Sequence, residues 1–86
     1  MLKIKRVSPP IQEITLKLDG RVTGQWVELL RESAESEMEA GLRITLDLEN
    51  VSFIDGEGLA LIRSLMDRGV QQANAPLFVL EQLTRR

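Results

Sequence analysis

Asp55, Gly56, Glu57 and Gly58 follow one another where the apolar pattern changes from a period of two to a period of three and four. Two carboxylates set among glycines at such a junction could cap a helix, hold a cation, move a proton or present charge to a partner. Asp55 stands at the N-cap position, where a carboxylate accepts from the free N–H groups of a first helical turn. Glu57 falls inside that turn, at the positive end of the helix dipole. Gly58 permits close backbone approach, to a sheet or to a docking partner. Acid–base or magnesium chemistry would need a second acid, and Asp47 is the candidate; alternation puts Asp47 on the polar face of a strand, and no third group accompanies the pair. The Gly-x-Gly at 56–58 is too short for a nucleotide fingerprint, and Glu57 repels phosphate, which leaves at most a weak anion or nucleotide contact at the helix N-terminus. Ser52 and Ser64 are the nearby hydroxyls. Their default role is a solvent or backbone hydrogen bond, with phosphorylation the minor reading.

Composition narrows the chemistry further. The 86 residues include no His and no Cys, which removes the commonest general base and metal ligand, the cysteine nucleophile and any disulfide framework. Eleven Lys and Arg against thirteen Asp and Glu give a net charge of −2, unlike the dense basic face of a nucleic-acid binder. With 43% apolar and 28% charged residues, the chain reads as one globular domain spanning 1–86. Its apolar stretches fall far short of the roughly 20 residues of a membrane helix, and its N-terminus lacks an apolar signal region, so a cytoplasmic location and no membrane insertion are expected.

The elements that must position the Asp55 turn follow from periodicity. Leu2 to Val7 alternates imperfectly and predicts a strand, broken by Ser8-Pro9-Pro10. Ile14, Leu16 and Leu18 alternate with Glu13, Thr15 and Lys17 in a second strand ending at Asp19-Gly20. From Thr23-Gly24, Trp26, Leu29, Leu30, Ala34 and Met38 recur at helical spacing until Gly41, with Trp26 at the core or its edge. Ile44, Leu46 and Leu48 make a third strand, followed by a short connection holding Val51, Phe53 and Ile54. A second helix from Gly56 carries the stripe Leu59, Ile62, Leu65 and Met66 and closes at Arg68-Gly69, with a cation near its negative end. Val70 to Asn74 suggests a short last strand. Residues 76–85 suggest a third helix entered through Pro76, with a strand over Leu77–Leu80 as the rival. Clean alternation, with Lys3, Lys5, Glu13, Lys17, Arg43 and Asp47 on the second face, predicts a sheet wet on one side. The expected fold is therefore α/β in two layers, about four strands in a mixed, mostly parallel sheet with all helices on one face. The polar sheet face argues against dimerisation through it, whereas an unpaired edge strand could still pair with another copy.

Residues 46–59, Leu-Asp-Leu-Glu-Asn-Val-Ser-Phe-Ile-Asp-Gly-Glu-Gly-Leu, resemble the STAS domain shared by sulfate transporters and anti-sigma-factor antagonists. Its signature is a Leu-Asp-Leu strand followed by a Phe-x-Asp-Ser-Ser-Gly-Leu type turn into a helix. The likeness runs from the Leu18-Asp19-Gly20 turn through the first helix to Arg68-Gly69 and the Pro76 helix, and is most specific over Asp47 to Leu59. Family members usually continue with a longer last helix and often a further strand, so the resemblance implies a C-terminally shortened member. It also implies a non-catalytic regulatory domain without a cofactor, whose second Ser is phosphorylated by a partner that is both anti-sigma factor and kinase, releasing that partner. Glu57 occupies this phosphosite-equivalent position and cannot accept a phosphoryl group; Gly56 replaces the first Ser.

The expected protein-binding surface is thus Asp55, Gly56, Glu57, Gly58, Leu59 and Ile62. Its implied partner is an anti-sigma factor or kinase-like regulator, bound constitutively or in a partial phosphomimetic state. The alternatives are a soluble subunit of a membrane transport assembly and a nucleotide-binding sensor.

Overall fold

Alternating apolar side chains give the sheet one face to bury, and the helices supply the cover. The computed structural model describes residues 1–7 and 12–84. Its element order is β1 (Leu2–Val7), β2 (Glu13–Val22), α1 (Gln25–Glu39), β3 (Arg43–Ile54), α2 (Gly56–Asp67), β4 (Gln71–Ala73) and α3 (Leu77–Thr84). The strands lie in chain order in one sheet, β1 antiparallel to β2 and the remaining neighbours parallel. Leu2, Ile14, Leu16, Leu18, Ile44, Leu46 and Leu48 are buried under the helices, while Lys3, Lys5, Glu13, Lys17 and Arg43 are exposed. The two-layer α/β architecture read from alternation is the one observed. The expected break at Ser8-Pro9-Pro10 and residue 85, where the third helix was expected to end, lie outside the described residues.

Two strands run further than alternation indicates. β2 does not end at Asp19-Gly20 but continues to Val22, and β3 absorbs the supposed connection as far as Ile54. Register shifts between Lys17 and Asp19 and again between Gly20 and Arg21 let the parallel pairing resume as Gly20↔Val51, Arg21↔Phe53 and Val22↔Ile54. Such irregularities break the period of two without breaking the ladder.

The buried stripe of α1 is also rotated from the expected one. Val27, Leu30, Ala34 and Glu37 face inward, Trp26 and Met38 flank them, and Leu29 is exposed. The helix covers β2 and β3, so Leu29, on the side toward β1, meets no second helix. The helices stop where Gly41 and Gly69 follow. Arg68 is the C-cap of α2, its N–H donating to the Ser64 and Leu65 carbonyls at 3.2 and 3.0 Å, and its guanidinium reaches Glu35 on α1 at 3.5 Å. Residues 77–80 are helical, not a strand: the Leu80 N–H donates to the Pro76 carbonyl at 3.0 Å, and Val79 is fully buried while Leu77, Phe78 and Leu80 face outward.

Candidate functional site

Asp55 sits where β2, β3 and the starts of two helices converge. Its backbone N–H donates to the Val22 carbonyl at 3.2 Å, carrying the parallel pairing one residue beyond Val22↔Ile54. Its own carbonyl accepts from Leu59 at 2.9 Å, which closes the first turn of α2. The carboxylate then bridges: one oxygen accepts from the Gly58 N–H at 2.7 Å, the other from the Gly24 N–H at 3.1 Å. One side chain therefore ties the N-terminus of α2 to that of α1. The donated hydrogen bonds, from Gly58 first and Gly24 second, hold its carboxyl below the usual aspartate pKa.

Gly24 reaches this carboxylate through a conformation of its own, φ 53° and ψ −128°. With the Trp26 N–H donating to the Thr23 carbonyl at 3.0 Å, Gly24 is the first central residue of a tight turn of the type that requires glycine there. The Thr23-Gly24 helix start is thus a backbone device, with no side-chain cap. The link from Gly24 to Asp55 spans residues too far apart in sequence for local pattern to join them.

The six expected contact residues divide into a surface and its support. Gly56 and Glu57 are exposed, Asp55 and Leu59 half-buried, Gly58 and Ile62 buried. Ile62 is 0% exposed and so cannot be a contact residue: the inward face of α2 directs it into the core. Gly58 is closed off by β2, since a Cβ there would meet the Val22 carbonyl oxygen at 2.5 Å and the Val22 side chain at 2.9 Å. Of the two approaches open to Gly58 by sequence, the sheet takes it. Glu57 borders a shallow hollow shared with Arg31, Ala60 and Ser64. Ser52 and Ser64 are exposed.

A neighbouring pair escapes sequence reading. Phe53, paired in register with Arg21, is 47% exposed, and the Arg21 guanidinium carbon lies 5.1 Å from the ring centroid. This cation–π contact places an aromatic face and a cation just before the Asp55 turn. The one available signal was parity: counted by twos from Ile44, Leu46 and Leu48, Phe53 falls on the face of Asp47, away from the core.

Asp47 does not join the site. It pairs in register with Lys17 and Ala73, its carboxylate accepts from the Glu49 N–H at 3.1 Å, and it lies about 20 Å or more up the strand from Asp55 at ordinary strand rise. Among the described residues no group of acids could hold a metal ion, and no helix is long and apolar enough to cross a membrane.

The family profile of the STAS domain matches residues 3–80. No curated protein matches the sequence significantly. Among solved structures, the chain is similar to the anti-sigma factor antagonist SpoIIAA in its unphosphorylated form, with a TM-score of 0.75 at 17% identity over 92% of this chain and 79% of that one. At that identity the likeness is one of fold.

Proposed function

The chain belongs to the STAS-domain family, and from that premise we propose that it is a non-catalytic regulatory module that binds another protein through the turn at the start of α2. The contact surface is Asp55, Gly56, Glu57 and Leu59, extended by Phe53 and Arg21. The observation that carries this reading is the pinning of the turn from both sides, by the Asp55 carboxylate bridge and by Gly58 against Val22, while Glu57 and Gly56 stay exposed. A rigid, exposed turn beside an aromatic and an arginine is a surface that loses little entropy on docking.

The partner class is an anti-sigma factor or kinase-like regulator, and the association is constitutive. Glu57 offers one negative charge and two oxygens where a phosphoserine has about −1.5 to −2 and three, so it is a poor mimic of the phosphorylated state. With Gly56 as its neighbour, neither position supplies a hydroxyl for transfer. A nucleotide sensor is disfavoured, because Asp55 already takes the Gly58 N–H and Glu57 repels a phosphate at the same helix end.

Partner capture from source-cell lysate with wild type, Glu57→Ser and Glu57→Ala in parallel tests the proposal. Wild type and Glu57→Ala are expected to retain the same kinase-like regulator, and Glu57→Ser to bind it, become modified when ATP is added, and release it. Binding by the substituted forms alone would make Glu57 a built-in off state. Retention of a transporter subunit by all three, with no regulator, would replace this reading with the transport one.

A further inference from the structure

β1 is an edge strand whose outer side no described residue covers. The Met1 carbonyl accepts from the Arg21 N–H at 3.0 Å, and the register continues as Leu2↔Gly20, Lys3↔Asp19 and Ile4↔Leu18. Hydrogen-bonded and non-bonded pairs alternate in an antiparallel ladder. Lys3 and Lys5 therefore spend their backbone groups on β2, and Leu2 and Ile4 turn their N–H and C=O groups to the open edge.

Beside that edge, between β1 and α1, lies a groove of about 400 Å³. Ile4 and Leu16 form its floor, the exposed Leu29 and Ser33 its helix wall, and the Arg6–Glu37 ion pair one end. A strand added to β1 would place the residue opposite Ile4 on Ile4's side of the sheet, over this groove. Its neighbours in sequence would fall on the other face, beside Lys3 and Lys5.

Charge selects the occupant. In register, Lys5 stands directly opposite Lys17, a like-charge pair. Lys17 has Asp47 as its neighbour on the far side, whereas Lys5, at the edge, has no carboxylate partner among the described residues. A second copy of this strand centred on Ile4 would set Lys3 against Lys5, and like charges directly opposed are destabilising.

We propose that β1 is a docking edge for an extended segment of another protein in which acidic and apolar residues alternate, the apolar side chain filling the groove beside Ile4 and the acids meeting Lys3 and Lys5. This surface shares no residue with the Asp55 turn, so the proposal stands apart from the functional reading above.

The probes are two synthetic peptides, one alternating glutamate and valine, the other lysine and valine, each titrated into isotope-labelled protein. The glutamate peptide is expected to shift the amide resonances of Leu2 and Ile4 and protect them from exchange, and to bind about tenfold or more tightly than the lysine peptide. In Lys5→Glu, an exposed change checked for folding by circular dichroism, the preference should shrink or invert. Equal binding of both peptides, or shifts centred on Asp55 to Leu59, would overturn the proposal. So would protection of Leu2 and Ile4 in the free protein at concentrations where it dimerises, which would make a second copy the occupant.

Discussion

The Cβ that Gly58 lacks would stand 2.5 Å from the carbonyl oxygen of Val22, so the first turn of α2 rests directly on the end of β2. Backbone is the obstacle, and backbone at the end of a paired strand cannot swing aside as a side chain could. Gly58→Ala is therefore expected to cost about 1–3 kcal/mol through overpacking. Gly56→Ala, with nothing within 4 Å of its added methyl, should stabilise by up to about 1 kcal/mol through helix propensity. Paired urea melts read both signs.

Asp55 bonds two helix starts through one carboxylate, so Asp55→Ala should lower Tm by about 5 °C. Its folded pKa is lowered by the Gly58 and Gly24 N–H groups. The unfolded chain then binds the proton more readily than the folded one. The contribution is present in full above the usual aspartate pKa and is lost as pH falls through the lower folded value. Thermal melts of wild type and Asp55→Ala should accordingly differ at neutral pH and converge in acid.

Glu37 lies in the buried stripe of α1 with its carboxylate paired to Arg6 on β1. Arg6→Leu should cost about 1–2 kcal/mol, less than a fully buried pair would, because the Arg6 side chain is itself 56% exposed. Combining Arg6→Leu with Glu37→Leu should recover most of that loss, since no carboxylate is then left buried without its guanidinium. Chemical denaturation of the three variants gives the coupling.

Phe53 is half exposed, so Phe53→Ala should change stability by only about 1 kcal/mol, the worth of an exposed cation–π contact and some edge packing. On the proposed docking surface, the same change should weaken partner binding about tenfold or more. A variant that melts near wild type yet loses the captured partner is the expected result; equal capture would remove Phe53 from the surface.

Much of this protein is written locally. Alternation at Ile14, Leu16, Leu18 and at Ile44, Leu46, Leu48 determined which face of the sheet is buried, because side chains on a strand repeat every second residue. Asp55 was legible as a cap because capping needs only the next turn of the same helix. The run from Asp47 to Leu59 pointed to the family whose profile was then found to match residues 3–80. Tertiary structure decided what depends on distant residues. Register shifts against β3 carried β2 past Gly20 to Val22; the placement of α1 over β2 and β3 left Leu29 outside, and Glu37, paired with Arg6 of β1, joined the buried stripe. The core, not the helical stripe alone, withdrew Ile62 from the surface. The second hydrogen bond of Asp55, to Gly24, exists only because parallel pairing of β2 and β3 brings two helix starts to one end of the sheet, a juxtaposition that no spacing along the chain encodes.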